Sequence, residues 1–425
     1  MLSVSQAETI IFNLVQPLGT EKDVEAVTLL TAIDRILAAP VMSTLDFPHW
    51  DNSAMDGYAV RYEDVKHCNE QQPAVLEIVE EVAAGREPQK TIQPGQAARI
   101  FTGAMMPVGA DTVVIQEQTQ REENRVFILS APKRQDFVRH RASFYQAGTV
   151  LLPPGIVIAA PEIAVLAAAQ CTQMTVYRRP RVAILSTGNE LITPDRPLQP
   201  GQIVDSNQYA LAALVAQTGA EPIQMGIVAD EKTELEHRIA KAVQTSDMIL
   251  SSGGVSVGDY DYIDQILASL GATIHIQGAV AVKPGKPLTV ATFSNPDTSS
   301  SRPVLYFGLP GNPVSALVSF WRFVQPALKK LSGLAHSWGP SFVTARTCHD
   351  LGASDGKRET YLWGQLYLVN GSYEFHLVTG SHSSGNLINL AQTNGLAILP
   401  VGQTSVASGT QIQVLQVGLP ILHLN

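Results

Sequence analysis

Cysteine is scarce: Cys68, Cys171 and Cys348 are the only three in 425 residues, and no CxxC pair occurs. This excludes a disulfide framework and a thiolate zinc motif, and it fits a reducing, cytoplasmic compartment. Long apolar runs are missing too. No stretch of about 20 apolar residues exists, so no membrane span is expected. Basic charge is in short supply. The formal net charge is −9, which argues against a general nucleic-acid binder. The ten histidines include no pair at metal-ligand spacing.

What is present is a chain too long for one ordinary domain, with about two to four units expected. The start, MLSVSQAETIIFNLV, has no basic leader region and places its apolar residues as on a surface helix. Ser5 and Glu8 have capping-box spacing. Helical spacing of Leu29, Leu30, Ile33 and Leu37 extends the helical reading to residues 1–45. From 46 to 148 short strand-like runs alternate with glycine turns, as in VLEIVEEV, AARIFTG and DTVVIQE. Helix returns at Ala160–Ala169, within a segment 149–178, with Pro161 in its first turn.

Between 179 and 333 strand and helix alternate. RVAILSTG, PIQMGIVAD, DMILSSGG and VLYFGLPG read as buried strands, with helices between them. This predicts a three-layer α/β domain, a mostly parallel sheet with helices on both faces. Residues 334–425 turn strand-rich again and predict a small β-barrel or sandwich. Ligands of such α/β sheets bind at the carboxyl ends of the strands. Three glycine-containing strand exits fall there: STGNE, SSGGVSVGD and GLPGNP.

GLPGNPVSA (Gly308–Ala316) offers Pro310, Gly311, Asn312 as a helix cap, Pro313 in the first turn, and Ser315. Exposed N–H groups there form an anion site, unless the run is an ordinary strand–turn–helix. In SSGGVSVGDYD, Gly253, Gly254 and Gly258 let backbone approach phosphate oxygens. Ser251, Ser252 and Ser256 add hydroxyls, and Asp261 is a candidate magnesium ligand. The run is neither a Walker motif nor GxGxxG. KPGKP presents Lys283 and Lys286 on a stiff loop, or merely as two solvated lysines. Glu190 and Asp230, each at a strand end, are caps or metal carboxylates, and the shared edge with Asp261 favours metal. In DNSAMDGYAV, Asp51 and Asp56 flank Asn52 and Ser53, and Thr102 of FTGA is a further hydroxyl. A turn into the β-rich insert is the plain alternative for that run.

DNSAMDGYAV, FTGA, STGNE, GGVSVGDYD, KPGKP and GLPGNPVSA together resemble the molybdopterin molybdenumtransferase family, the MoeA-type proteins and the related gephyrin E domain. They stand in the family's order across almost the whole chain. The resemblance implies four parts: a helical part (1–45 with 149–178), a β-rich domain (46–148), an α/β molybdopterin-binding domain (179–333) and a C-terminal β-barrel (334–425). It implies a homodimer whose subunits share the active site. The implied substrates are molybdate and adenylylated molybdopterin, and the implied cofactor is Mg2+. The implied products are AMP and molybdenum cofactor. Magnesium falls to Asp230, Asp261 and Glu190. Asp56 and Thr102 match positions near the reaction centre, Arg139 and Arg141 match a basic run that contacts molybdate, and Arg358 is a retained basic position. Molybdopterin adenylyltransferase and molybdoenzymes are the implied protein partners.

The sequence also departs from the family pattern. Ala142, Ser143 and Phe144 stand where Gly-Glu-Asp is usual. Ala279 replaces a basic residue, Asn189 replaces Asp, and His382, Ser383 and Ser384 stand for Gln-Gly-Ser. Two rivals remain open. One is a molybdopterin adenylyltransferase, which needs only the α/β part. The other is a weakly catalytic protein that binds and delivers cofactor.

Overall fold

The structure is a computed structural model and describes residues 1–253, 263–294, 302–354 and 356–422. The chain divides into two compact units, Pro40–Pro153 with Ala164–Cys171, and the remainder.

The first of these is built on a six-stranded sheet. Its order is Thr112–Ile115, Gly57–Val60, Gln96–Ile100, Ala74–Val82, Arg125–Ile128, Thr119–Glu122. Only Ala74–Val82 and Gln96–Ile100 pair in parallel. Side-chain alternation feeds two cores, one with Tyr58, Val60 and Val114, the other with Ala59, Ala98 and Val113. Gly57 is required in the middle of it. A Cβ there would lie 2.0 Å from the Val114 carbonyl oxygen.

The other unit carries a six-stranded α/β sheet in the order Glu221–Val228, Arg181–Thr187, Met248–Ser252, Val304–Leu309, Thr289–Phe293, Thr273–Ile276. The first four strands are parallel, Thr289–Phe293 runs against them, and the edge strand Thr273–Ile276 pairs antiparallel to it. Val182, Ile184, Leu250 and Phe307 pack with Leu211, Val215 and Val314 on one face. Ala183, Leu185, Ile249 and Tyr306 pack with Leu235, Ile239 and Ile266 on the other. The expected three layers are present.

A continuous helix follows the Val304–Leu309 strand. It is α-helical over Pro313–Ser319, widens to a π turn over Phe320–Val324, and is α-helical again over Gln325–Leu331. Pro326 has no N–H to give to the preceding turn, and the wider turn sits directly before it.

Five strands close into a barrel: Phe342–Thr347, Ser372–Leu377, Glu359–Val369, Gly395–Leu399 and Gln411–Gln416, which returns to the first. Closure removes the sheet edges. Leu366, Phe375, Ala397 and Val414 fill its interior.

The amino-terminal region differs from the sequence expectation. The helix is confined to Val4–Leu14. Its cap is Ser3 with Gln6, not Ser5 with Glu8: Ser3 Oγ accepts from the Gln6 N–H and Gln6 Oε1 accepts from the Ser3 N–H. Glu8 instead receives both Arg322 guanidinium nitrogens, at 3.0 and 2.9 Å. Arg322 Nε donates to the Tyr361 hydroxyl, so one buried guanidinium joins the first helix, the long helix and the barrel. Beyond Leu14 the helical spacing of leucines is accidental. Val24–Thr28 is a strand paired with Gln173–Tyr177, and Leu29–Thr31 is a single 3-10 turn. Leu30 is 91% exposed, and of the four spaced residues it is Leu37 that reaches the core.

Candidate active site

The strand exits converge on a cavity of about 870 Å³. Thr187, Gly188, Glu190, Asp205, Asn207, Asp230, Ser252, Gly253, Pro310, Gly311, Asn312 and Ser315 line it, together with Gly385 and Leu387 from the barrel side. Of the sequence candidates, Glu190, Asp230, Gly253, Pro310, Gly311, Asn312 and Ser315 therefore meet in one place. Gly254, Ser256, Gly258 and Asp261 lie outside the described residues.

The floor is backbone. Gly253 has φ +91°, and a Cβ on it would lie 2.5 Å from the Thr187 carbonyl oxygen. Only glycine fits both constraints. Two strand exits are clipped at the mouth. The Asp230 N–H donates to Asn189 Oδ1 at 3.1 Å, and the Asn189 N–H reaches Asp230 Oδ2 at 3.4 Å. An Asp at 189 would accept the first bond equally, so that departure from the family pattern keeps the clip. The Glu190 carboxylate folds back over Gly188, at a distance where any side chain on residue 188 would collide with it.

Asn207 was not singled out by the sequence, yet it organises the wall. Its Nδ2 donates to Ser252 Oγ at 2.6 Å and to the Gly311 carbonyl at 2.8 Å. A two-residue ladder, Leu191–Ile192 with Ile203–Val204, delivers it. The only sequence hint was the polar run VDSNQ opening a helix. Asn207 Oδ1 and Thr187 Oγ1 are buried without a partner among the described residues.

Other candidates stand elsewhere. Ser251 is fully buried and its hydroxyl is bonded to that of Tyr306, because strand alternation turns Ser252 toward the cavity instead. Asn312 occupies the cap position but makes no side-chain cap bond. The Val314 N–H is taken by the Ser384 carbonyl at 3.2 Å, from the loop carrying Gly385 and Leu387. In that loop His382 packs on Trp363 with centroids 4.4 Å apart. Burial lowers its pKa, against a bond from Nε2 to the Val378 carbonyl. Lys283 bonds Ser354 and pairs with Thr360, two residues past Arg358. Lys286 is exposed; its neighbour Pro287 lines the cavity. Among the described lining residues there are three carboxylates and no Lys or Arg.

In the β-rich unit, Asp56 Oδ1 accepts both the N–H and the hydroxyl of Thr102 at 2.7 Å. Those two bonds, the backbone one first, lower the Asp56 pKa. Asp51 accepts the Arg141 N–H at 2.7 Å and approaches His140. Arg141 Nε donates to Asp46 at 2.7 Å, and Arg139 pairs with Asn52. Ala142 sits at φ +61°. That conformation explains why glycine suits the position, and Ala142 accepts it at a cost.

Residues 2–169 match the MoeA N-terminal region (domain I and II), 183–330 a probable molybdopterin binding domain, and 347–417 the MoeA C-terminal region (domain IV). The chain belongs to the molybdopterin molybdenumtransferase, or MoeA, family. A molybdopterin molybdenumtransferase of Nostoc sp. is 64% identical over 421 residues, 99% of this chain and 94% of the relative. One from Haemophilus influenzae is 31% identical, covering 97% and 98%. Among solved structures of the family, a molybdopterin biosynthesis MoeA protein from Pyrococcus horikosii superposes with TM-score 0.81 at 28% identity, covering 98% and 99%.

Proposed function

We propose that this molybdopterin molybdenumtransferase inserts molybdate into adenylylated molybdopterin with Mg2+ and releases AMP. Transfer of molybdenum to molybdopterin in cofactor biosynthesis follows from the family. The finer reaction rests chiefly on the character of the cavity, a glycine-floored pocket rimmed by acids. An anionic ligand meets Glu190, Asp205 and Asp230 with no basic residue among the described lining. A divalent cation resolves that conflict of sign. Oxygen donors of this kind suit magnesium.

Glu190 and Asp230 would hold the ion, with Asp261 as the third carboxylate from outside the described residues. Bound magnesium supplies charge neutralisation at phosphate oxygens. The chain's own groups do the rest. Gly253 lets the ligand lie against main chain, and Asn207 fixes Ser252 and Gly311 as one wall. The buried Thr187 Oγ1 and Asn207 Oδ1 offer hydrogen bonds to ligand or water. Asp56 and Thr102 are assigned to the reaction centre, and Arg139, Arg141, Lys283, Lys286 and Arg358 to anion binding. The proposal extends to a cytoplasmic homodimer that exchanges pterin with an adenylyltransferase and molybdoenzymes.

The test is AMP release from adenylylated molybdopterin, with and without molybdate and magnesium. Release that requires both supports the reading. Pterin binding without release would assign the chain to cofactor delivery. Asp230→Asn is expected to raise the magnesium needed for half-maximal rate by about tenfold or more; an unchanged requirement would remove Asp230 from the site.

A further inference from the structure

The outer face of the barrel brings Cys348 beside Glu374 and His376, which share one strand, so that a thiol, a carboxylate and an imidazole meet. Strand Phe342–Thr347 runs parallel beside Ser372–Leu377, with Arg346 opposite Glu374 and Thr347 opposite Phe375. Phe375 fills the barrel interior, so alternation turns Glu374 and His376 outward. The Cys348 N–H donates to the Phe375 carbonyl at 2.9 Å, which sets the Cys348 thiol beside them. Cys348 Sγ lies 3.7 Å from Glu374 Oε2, and His376 Nε2 lies 3.6 Å from the same oxygen. The three donor atoms all fall within 4.8 Å of one another, and all three residues are half-buried.

We propose that Cys348, Glu374 and His376 form a binding site for a divalent transition metal of the zinc class. Sulfur, imidazole nitrogen and carboxylate oxygen together favour a borderline ion over magnesium or calcium. Bond lengths of about 2.3 Å to sulfur and about 2.0–2.2 Å to nitrogen and oxygen give tetrahedral edges of roughly 3.4–3.6 Å. The two edges at Glu374 are already within a few tenths of an ångström of that. The third, at no more than 4.8 Å, needs to close by at most about 1.2–1.4 Å to reach that edge.

The carboxylate is divided between two tasks. Glu374 Oε1 is held by the Arg346 guanidinium, which leaves Oε2 toward sulfur and nitrogen. A guanidinium bonded to the far oxygen of a carboxylate in this way orients the near oxygen as a ligand. The ring of His376 is fixed in turn against Tyr367 and His349, at centroid distances of 4.8 and 5.9 Å. Binding replaces the Cys348 S–H bond by a sulfur–metal bond and releases the proton to solvent; no electron is transferred. Water takes the fourth position. None of these residues lines the strand-exit cavity.

The test is a Co2+ titration of the reduced, metal-free full chain in excess Mg2+, which occupies hard oxygen sites. One equivalent should produce a thiolate-to-cobalt charge-transfer absorption. Cys348→Ser should abolish it, and His376→Gln should weaken Co2+ binding at least tenfold with unchanged circular dichroism. No charge-transfer absorption in the parent chain would overturn the proposal. So would an absorption that survives Cys348→Ser, since the sulfur would then be Cys68 or Cys171. Undiminished affinity in His376→Gln would also overturn it.

Discussion

The Asn207 side chain donates to Ser252 Oγ across 2.6 Å, and its second hydrogen reaches the Gly311 carbonyl. One amide thereby holds two neighbouring strand exits at a fixed separation. Asn207→Ala leaves a buried hydroxyl and a carbonyl short of a partner, which costs about 1–3 kcal/mol. Loosening the wall should also reduce kcat/KM by about 10- to 100-fold. Urea denaturation and steady-state AMP release check the two effects separately.

Asp23, Arg178, Asp247 and Arg302 form a largely buried cycle of ion pairs. Arg178 and Arg302 each bridge both carboxylates. Burial alone would raise the pKa values of Asp247 and Asp23, but the guanidinium bonds outweigh it and both are lowered. A folded pKa below the unfolded value of about 3.9 gives stability that is complete above that pH. It is lost as pH falls through the lower folded value. Asp247→Asn should destabilise by about 3–5 kcal/mol at neutral pH, since it leaves guanidinium charge under-compensated. Its stability should fall less steeply than the parent's below about pH 4. Denaturant midpoints across pH 3–7 measure both.

Asp56 pins the Thr102 turn through two bonds to one oxygen. Asp56→Asn weakens both acceptor contacts with little change in shape. It should lower kcat/KM by about 10- to 100-fold while leaving the melting temperature nearly unchanged. Thr102→Val removes the hydroxyl bond alone and should give a smaller loss. Equal activity in Asp56→Asn and the parent chain would take Asp56 out of the reaction centre.

Ala142 occupies a left-handed conformation that glycine adopts freely. Ala142→Gly should stabilise the protein by about 1 kcal/mol, net of the greater entropy glycine gains on unfolding. A urea midpoint no higher than the parent's would show that the turn carries no such strain.

The parallel part of the α/β sheet was readable because its strands are mostly apolar runs ending in glycine or a polar turn, whereas the edge strand Thr273–Ile276, with Thr273 and His275, carries no such signal. Those same endings located Glu190, Asp230, Gly253 and Gly311. Ser251 and Ser252 could not be told apart, since a one-residue change of register exchanges the faces of a strand. Asn207 escaped notice because its importance depends on two carbonyl and hydroxyl partners 45 and 104 residues away. Leu29, Leu30 and Ile33 misled in the opposite sense. Their helical spacing was real, but strand pairing of Val24–Thr28 with Gln173–Tyr177 decided the local structure. Cys348 and Glu374, 26 residues apart, became neighbours only through a parallel pairing that closes the barrel.

Glu8 and Arg322 are separated by 314 positions. On the ribosome, therefore, the first helix emerges long before the guanidinium that receives its carboxylate. During that interval its apolar face, with Ala7 and Ile11, has no long helix to lie against. The Val4–Leu14 segment is secured only once Arg322 has been made. A nascent-chain series that lengthens past residue 331 should show protease protection of Val4–Leu14 arising only after the long helix has left the ribosome.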